Sequence, residues 1–182
     1  LAGNRLVVFY ALGHGVPAEV SFQAYAADAV GNKTSLAFRP NIKKKAFKRD
    51  KIAISDKFLA DVLPYFKERD ASLGGSDVDV FLAVNRDQRR KDAEKIQAIC
   101  LETAPHALWS GAFLRLPDSK PMAGYGDART YVYDGKDIDT QTHLGVDLAS
   151  LAQSSVPAAN TGKVAFAGDL GMVVVLGYFY FG

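Results

Sequence analysis

The sequence predicts an α+β fold. Three observations carry this: strand-like alternation of apolar and polar residues through the first forty positions, two stretches of helical apolar spacing between Ser55 and Pro105, and short strand patterns separated by glycine-rich turns from Trp109 onward. They divide the 182 residues into a partial β-sandwich-like module (1–42), a basic linker with a helical section (43–108) and an antiparallel β domain that is incomplete (109–182).

In the first module Arg5 to Leu12 reads as a strand, Gly13-His-Gly-Val-Pro17 as a break and Ala18 to Ala27 as a second strand. Asp28 to Asn32 is a turn and Lys33 to Phe38 a returning strand. So few strands cannot bury two sheet faces, and the rest of the module is expected upstream of Leu1. The pattern Ala26-Ala-Asp-Ala-Val-Gly-Asn32 resembles the last strands of bacterial immunoglobulin-like modules. Arg39, Lys43, Lys44, Lys45, Lys48, Arg49 and Lys51 then concentrate positive charge. They read as a solvated linker, with contact to anionic envelope polymers or lipid headgroups as the functional alternative.

Ser55 is placed to cap a helix whose Phe58, Leu59, Val62 and Leu63 share one face. Ser76 caps a second, with Asp79 at its third position, and Ala93, Ile96, Ile99 and Cys100 form a later apolar stripe that Pro105 ends. Between them Arg86 to Asp92 reads as a solvated charged face, and Cys100 as a small buried hydrophobe. Beyond Trp109 the turn sequences Leu116-Pro-Asp-Ser, Ala123-Gly-Tyr-Gly-Asp, Tyr133-Asp-Gly-Lys and Asn160-Thr-Gly-Lys alternate with strand candidates at Thr130–Tyr133, Val156–Ala159 and Lys163–Ala167.

Composition narrows the function. Hydrophobic residues at 48% and charged residues at 23% belong to a packed protein rather than a disordered tail or a fibre. A net charge of +2 gives no reason to expect nucleic acid as a partner. No apolar run approaches the roughly 18 residues of a membrane helix, so any export signal or envelope anchor is expected upstream of Leu1. A single cysteine, Cys100, excludes an internal disulfide and every cysteine-rich zinc motif. The three histidines are His14, His106 and His143. His14 and His106 sit in no motif and read as loop residues.

His143-Leu-Gly-Val-Asp147 sets an imidazole and a carboxylate four residues apart. In an extended segment His143, Gly145 and Asp147 share one face, while Leu144, Val146 and Leu148 turn to the core. Extended backbone would separate the two Cα atoms by roughly 13 Å, too far for both side chains to reach one ion at about 2 Å. The chain must therefore bend, and Gly145 is placed for it. The pattern fits a metal-ligand pair, and it fits equally a histidine hydrogen-bonded within a β turn.

The run Gly124-Tyr-Gly-Asp-Ala-Arg129, then His143-Leu-Gly-Val-Asp-Leu-Ala149, then Val156-Pro-Ala-Ala-Asn-Thr-Gly-Lys-Val-Ala-Phe-Ala167 resembles the first half of the lysostaphin-type (LytM-like) zinc metallopeptidase domain, over about Gly111 to Gly171. The resemblance implies that His143 and Asp147 bind zinc, and that the protein cleaves peptide bonds of bacterial peptidoglycan in the periplasm or the extracellular envelope. It places Arg129 in the substrate groove, for which a structural salt bridge is the alternative. The family completes its site with a downstream His-x-His, whose second histidine is the third ligand, and with another histidine after a Tyr-x-His segment. After Gly171 this chain has no histidine. The third ligand and the catalytic acid/base are therefore expected downstream of Gly182, if the chain is truncated, or among residues missing between its last strand fragments. The latter is favoured, because an uncapped apolar strand leaves an open edge. The alternative function is a catalytically inactive envelope protein of the same fold that binds cell wall or activates a hydrolase.

Overall fold

A computed structural model describes the backbone of residues 10–17, 19–43, 45–170 and 173–180, with side chains as far as Leu170 except Asp169. Helices and mixed sheets are both present, so the fold class is α+β. The chain divides into two compact units, 1–48 and 49–182.

In the first unit β1 (Phe22–Ala27) and β2 (Lys33–Phe38) pair antiparallel from Phe22↔Phe38 to Ala27↔Lys33. The turn between them closes because the Asp28 carboxylate accepts from the backbone N–H groups of Val30 and Asn32 and from the Asn32 side chain. At the open end the Phe22 and Phe38 rings stack at 5.7 Å, with Tyr10 against Phe22. The expected strand Arg5–Leu12 lies outside the described residues up to Phe9, and Tyr10 to Leu12 are not in a strand.

The second unit opens with a correction. Arg49–Ala53, expected within the linker, is a strand, β3. It pairs in parallel with β5 (Ala128–Tyr133), and β5 pairs antiparallel with β6 (Lys136–Thr142). The β5–β6 turn runs through Asp134 (φ 48°) and Gly135 (φ 72°), the two left-handed positions that an Asp-Gly hairpin supplies.

Helix α1 (Asp56–Arg69) begins where the Ser55 hydroxyl accepts from Phe58 N–H. It continues through Pro64, with Leu59 and Leu63 buried. The second helical run consists of α2 (Asp77–Ala83), a π-helical turn (Val84–Gln88) and α3 (Arg89–Cys100). Its start is a full capping box between Ser76 and Asp79. The core joins Ile54, Leu59, Leu63, Val80, Phe81 and Tyr131 between these helices and the β3-β5-β6 sheet. Each such fully buried aliphatic side chain contributes about 1.5–3 kcal/mol.

Three expectations for this helix fail. Cys100 is exposed, because the helix ends on it. That end also falls short of Pro105. The charged middle, Arg86 to Asp92, is solvated except at its end, where Asp92 is buried; Asn85, just before it, is buried too. Asn85 Nδ2 donates to Asp139 Oδ2 at 2.7 Å, Arg86 Nε donates to Asp139 Oδ1 at 2.9 Å, and Arg89 donates to both oxygens of Asn85. The π turn carries Asn85 and Arg86 together onto β6, where Asp139 receives them.

Two small sheets complete the unit: β4 (Lys120–Ala123) with β7 (Asp147–Ala149), and β8 (Lys163–Leu170) with β9 (Val173–Tyr180), both antiparallel. Val156–Ala159, expected to be a strand, is irregular. It is held instead by bonds to a segment far back in the chain: Leu114 N–H donates to Ala159 O, and the side chain of the next residue, Asn160, bonds the backbone at Ser110 and Ala112.

Candidate metal centre

Strand β6 stops at Thr142, and the next residue is fastened to the turn Gly124–Asp127. His143 N–H donates to Asp127 O and Gly126 N–H donates to His143 O, each at 2.8 Å. The turn is fixed in its own right: Asp127, which is buried, accepts from Gly124 N–H through Oδ2 at 2.8 Å. Gly126 has φ 89°, a conformation that a side chain would strain. These bonds leave the Gly124 carbonyl 3.0 Å from His143 Nδ1.

A carbonyl only accepts, so Nδ1 carries the hydrogen and Nε2 keeps its lone pair in the neutral ring. That lone pair faces Asp147 Oδ1 at 3.0 Å. Two lone pairs so close hold together only when a proton or a cation lies between them. The other carboxylate oxygen, Oδ2, accepts from Arg129 NH2 at 2.8 Å. His143 is buried, Arg129 largely so, and Asp147 is half exposed, so the carboxylate is the face open to solvent.

Both ends of the pair are anchored to one segment. Asp147 opens β7 directly across from Ala123 of β4, and the next residue, Gly124, orients His143. Between His143 and Asp147 the backbone bends at Gly145. The bend takes Leu144 and Val146 out of strand alternation: expected to face the core, they are 66% and 59% exposed, while Leu148 is half-buried.

His143, Asp147 and Arg129 therefore meet at one place. His14 stands in the first unit with its ring edge-on to Phe47, and His106 is exposed in a bend after α3. Among the described residues no group of three His, Cys, Asp or Glu side chains could share a metal ion. Gly182, downstream of which a third ligand and an acid/base group are expected, itself lies outside the described residues, as does Gly171. The reading of the sequence missed the parts played by Gly124 and Asp127. Their signal was the turn Gly124-Tyr-Gly-Asp127, in which an Asp three residues after a glycine can close on its N–H.

No family model and no curated protein matches this chain.

One imidazole nitrogen and one carboxylate oxygen are donors of the kinds zinc takes, two of the three that a catalytic zinc needs, and their spacing is equally that of a hydrogen-bonded pair. A regular tetrahedral site with bonds of about 2.1 Å has donor–donor edges of about 3.4 Å, close to the 3.0 Å between Nε2 and Oδ1. A backbone carbonyl on the far nitrogen is also the usual support for a metal-binding imidazole. The Arg129–Asp147 pair, with one partner half exposed, contributes about 1 kcal/mol or less to stability.

Proposed function

We propose that the complete gene product carrying this chain is a zinc metalloendopeptidase that cleaves peptide bonds of bacterial peptidoglycan, working in the periplasm or the extracellular envelope. The observation that carries this is the His143 Nε2–Asp147 Oδ1 pair, one nitrogen and one oxygen donor 3.0 Å apart with the tautomer set by Gly124 O. The substrate class comes from the resemblance of residues 124–129, 143–149 and 156–167 to lysostaphin-type peptidases. On the same reading β1 and β2 belong to an immunoglobulin-like module, a helical section follows, and the residues from 109 onward begin the peptidase domain.

Zinc held there would polarise the scissile carbonyl and supply a water acidified to a pKa of about 7. The chain's own residues do the rest that can be assigned. His143 and Asp147 bind, Gly124 O and the 124–127 turn orient the imidazole, and Arg129 engages the carboxylate oxygen turned away from His143. Among the described residues nothing supplies a third ligand, and none is assigned as the acid/base group.

The test is digestion of purified peptidoglycan by the complete gene product, read as released muropeptides. Zinc-dependent release of new peptide ends, lost in His143→Ala, is the expected result. Binding to the cell wall without cleavage by the zinc-loaded protein would instead favour an inactive envelope protein of the same fold.

A further inference from the structure

The carboxylate of Asp147 is divided between two neighbours. Oδ2 takes the Arg129 hydrogen bond at 2.8 Å and Oδ1 faces His143 at 3.0 Å. A free carboxylate can offer either oxygen, or both at once, to a cation. Here the choice is made by a side chain from another strand. Arg129 lies in β5 beside Gln141 of β6, and its guanidinium crosses to the first residue of β7.

We infer that Arg129 is a positioning residue that occupies Oδ2 of Asp147 and so reserves Oδ1, beside His143 Nε2, as the single carboxylate oxygen offered to a divalent cation. The inference rests on the metal reading above and adds a role for Arg129 distinct from lining a substrate groove. The guanidinium suits it because it is planar, always charged and anchored on a strand. Outer partners of metal-binding carboxylates act in this way, and their loss typically costs 10-fold or more in metal affinity.

The experiment is cobalt(II) titration of the 182-residue protein, metal-free at the start, followed by absorption, with the backbone amide signals of Gly126 and His143 recorded by NMR. Arg129→Met should weaken cobalt binding about tenfold while those two amides, which report the turn and its bonds to His143, stay in place. Arg129→Lys, which keeps a cationic donor, should recover most of the loss. Equal or tighter binding by Arg129→Met overturns the inference. So does a loss accompanied by displaced amides and not recovered by lysine, which would make Arg129 merely structural. If Arg129→Met does not fold, Arg129→Gln, which keeps a donor without the charge, carries the same comparison. His143→Ala separates the two levels: undiminished cobalt binding there rejects the metal reading itself, whereas lost binding there with an unchanged Arg129→Met rejects only the role of Arg129.

Discussion

Nε2 of His143 and Oδ1 of Asp147 stand 3.0 Å apart across a bend at Gly145. An unbroken strand would hold their Cα atoms roughly 13 Å apart, so the bend makes the site. The sequence suggests that glycine is needed there for its conformational freedom, yet Gly145 does not use the left-handed region. A Cβ would meet only the imidazole, at an ordinary 3.7 Å. Gly145→Ala should therefore fold with stability unchanged or raised by up to about 1 kcal/mol in urea denaturation. A loss above about 2 kcal/mol would mean that the bend requires glycine.

Asp127 acts at one remove from the donors. Replacing it with Ala leaves Gly124 N–H without its carboxylate and frees the carbonyl that holds His143 Nδ1. Zinc affinity measured by competition with a chromophoric chelator should fall at least 10-fold. Unaltered affinity would show that the turn does not set the imidazole.

Asp139 ties the π turn to β6 and gives the fold a pH dependence. Burial pushes its carboxyl up, but hydrogen bonds from Gln141, Arg86 and Asn85 and the charge of Arg86 more than offset this, so it lies below the ordinary 3.8. Its contribution is therefore complete above that ordinary value. As the pH drops below 3.8 the unfolded chain takes up the proton first, and the contribution is lost by the time the pH has passed the depressed folded value. Asp139→Asn should flatten this acid limb of the stability curve. Asp139→Ala, which strands the buried Asn85 amide, should cost about 2–3 kcal/mol near neutral pH in denaturant melts.

What the sequence made legible is local. Ser55 and Ser76 cap the two expected helices, the Asp28–Asn32 turn joins two paired strands, and the His143–Asp147 segment bends. Each is decided by residues within a few positions of one another. The failures are decided at long range. Arg49-Asp-Lys-Ile-Ala53 is charged enough to read as linker, and only its pairing with Ala128–Val132 makes it a strand. Nothing in the sequence near Asn85 announces that it is buried on Asp139, which arrives from more than fifty residues away. The meeting of Arg129 with Asp147 likewise depends on how β5 and β7 are placed, which no spacing rule encodes.

On the metal reading, donor count sets how tightly the 182-residue chain would bind zinc. If His143 and Asp147 are its protein donors, zinc would keep two positions for water, and tight binding depends on a closed set. Calorimetric titration of a chain ending at Gly182 should show weak binding, and this chain should hydrolyse no peptidoglycan. Tight stoichiometric binding by a soluble monomer would require a third donor among these residues, with His106 and His14 the first to replace.

If Nε2 of His143 and Oδ1 of Asp147 together hold a zinc ion, they do so while Nδ1 remains bonded to Gly124 O. Nitrogen-15 NMR of the His143 imidazole during zinc titration addresses this atom by atom. Zinc should move the Nε2 resonance, leave Nδ1 protonated, and have no such effect in Asp147→Ala at the same zinc concentration. An Nε2 resonance that zinc does not move, or one that moves equally without Asp147, would contradict the assignment.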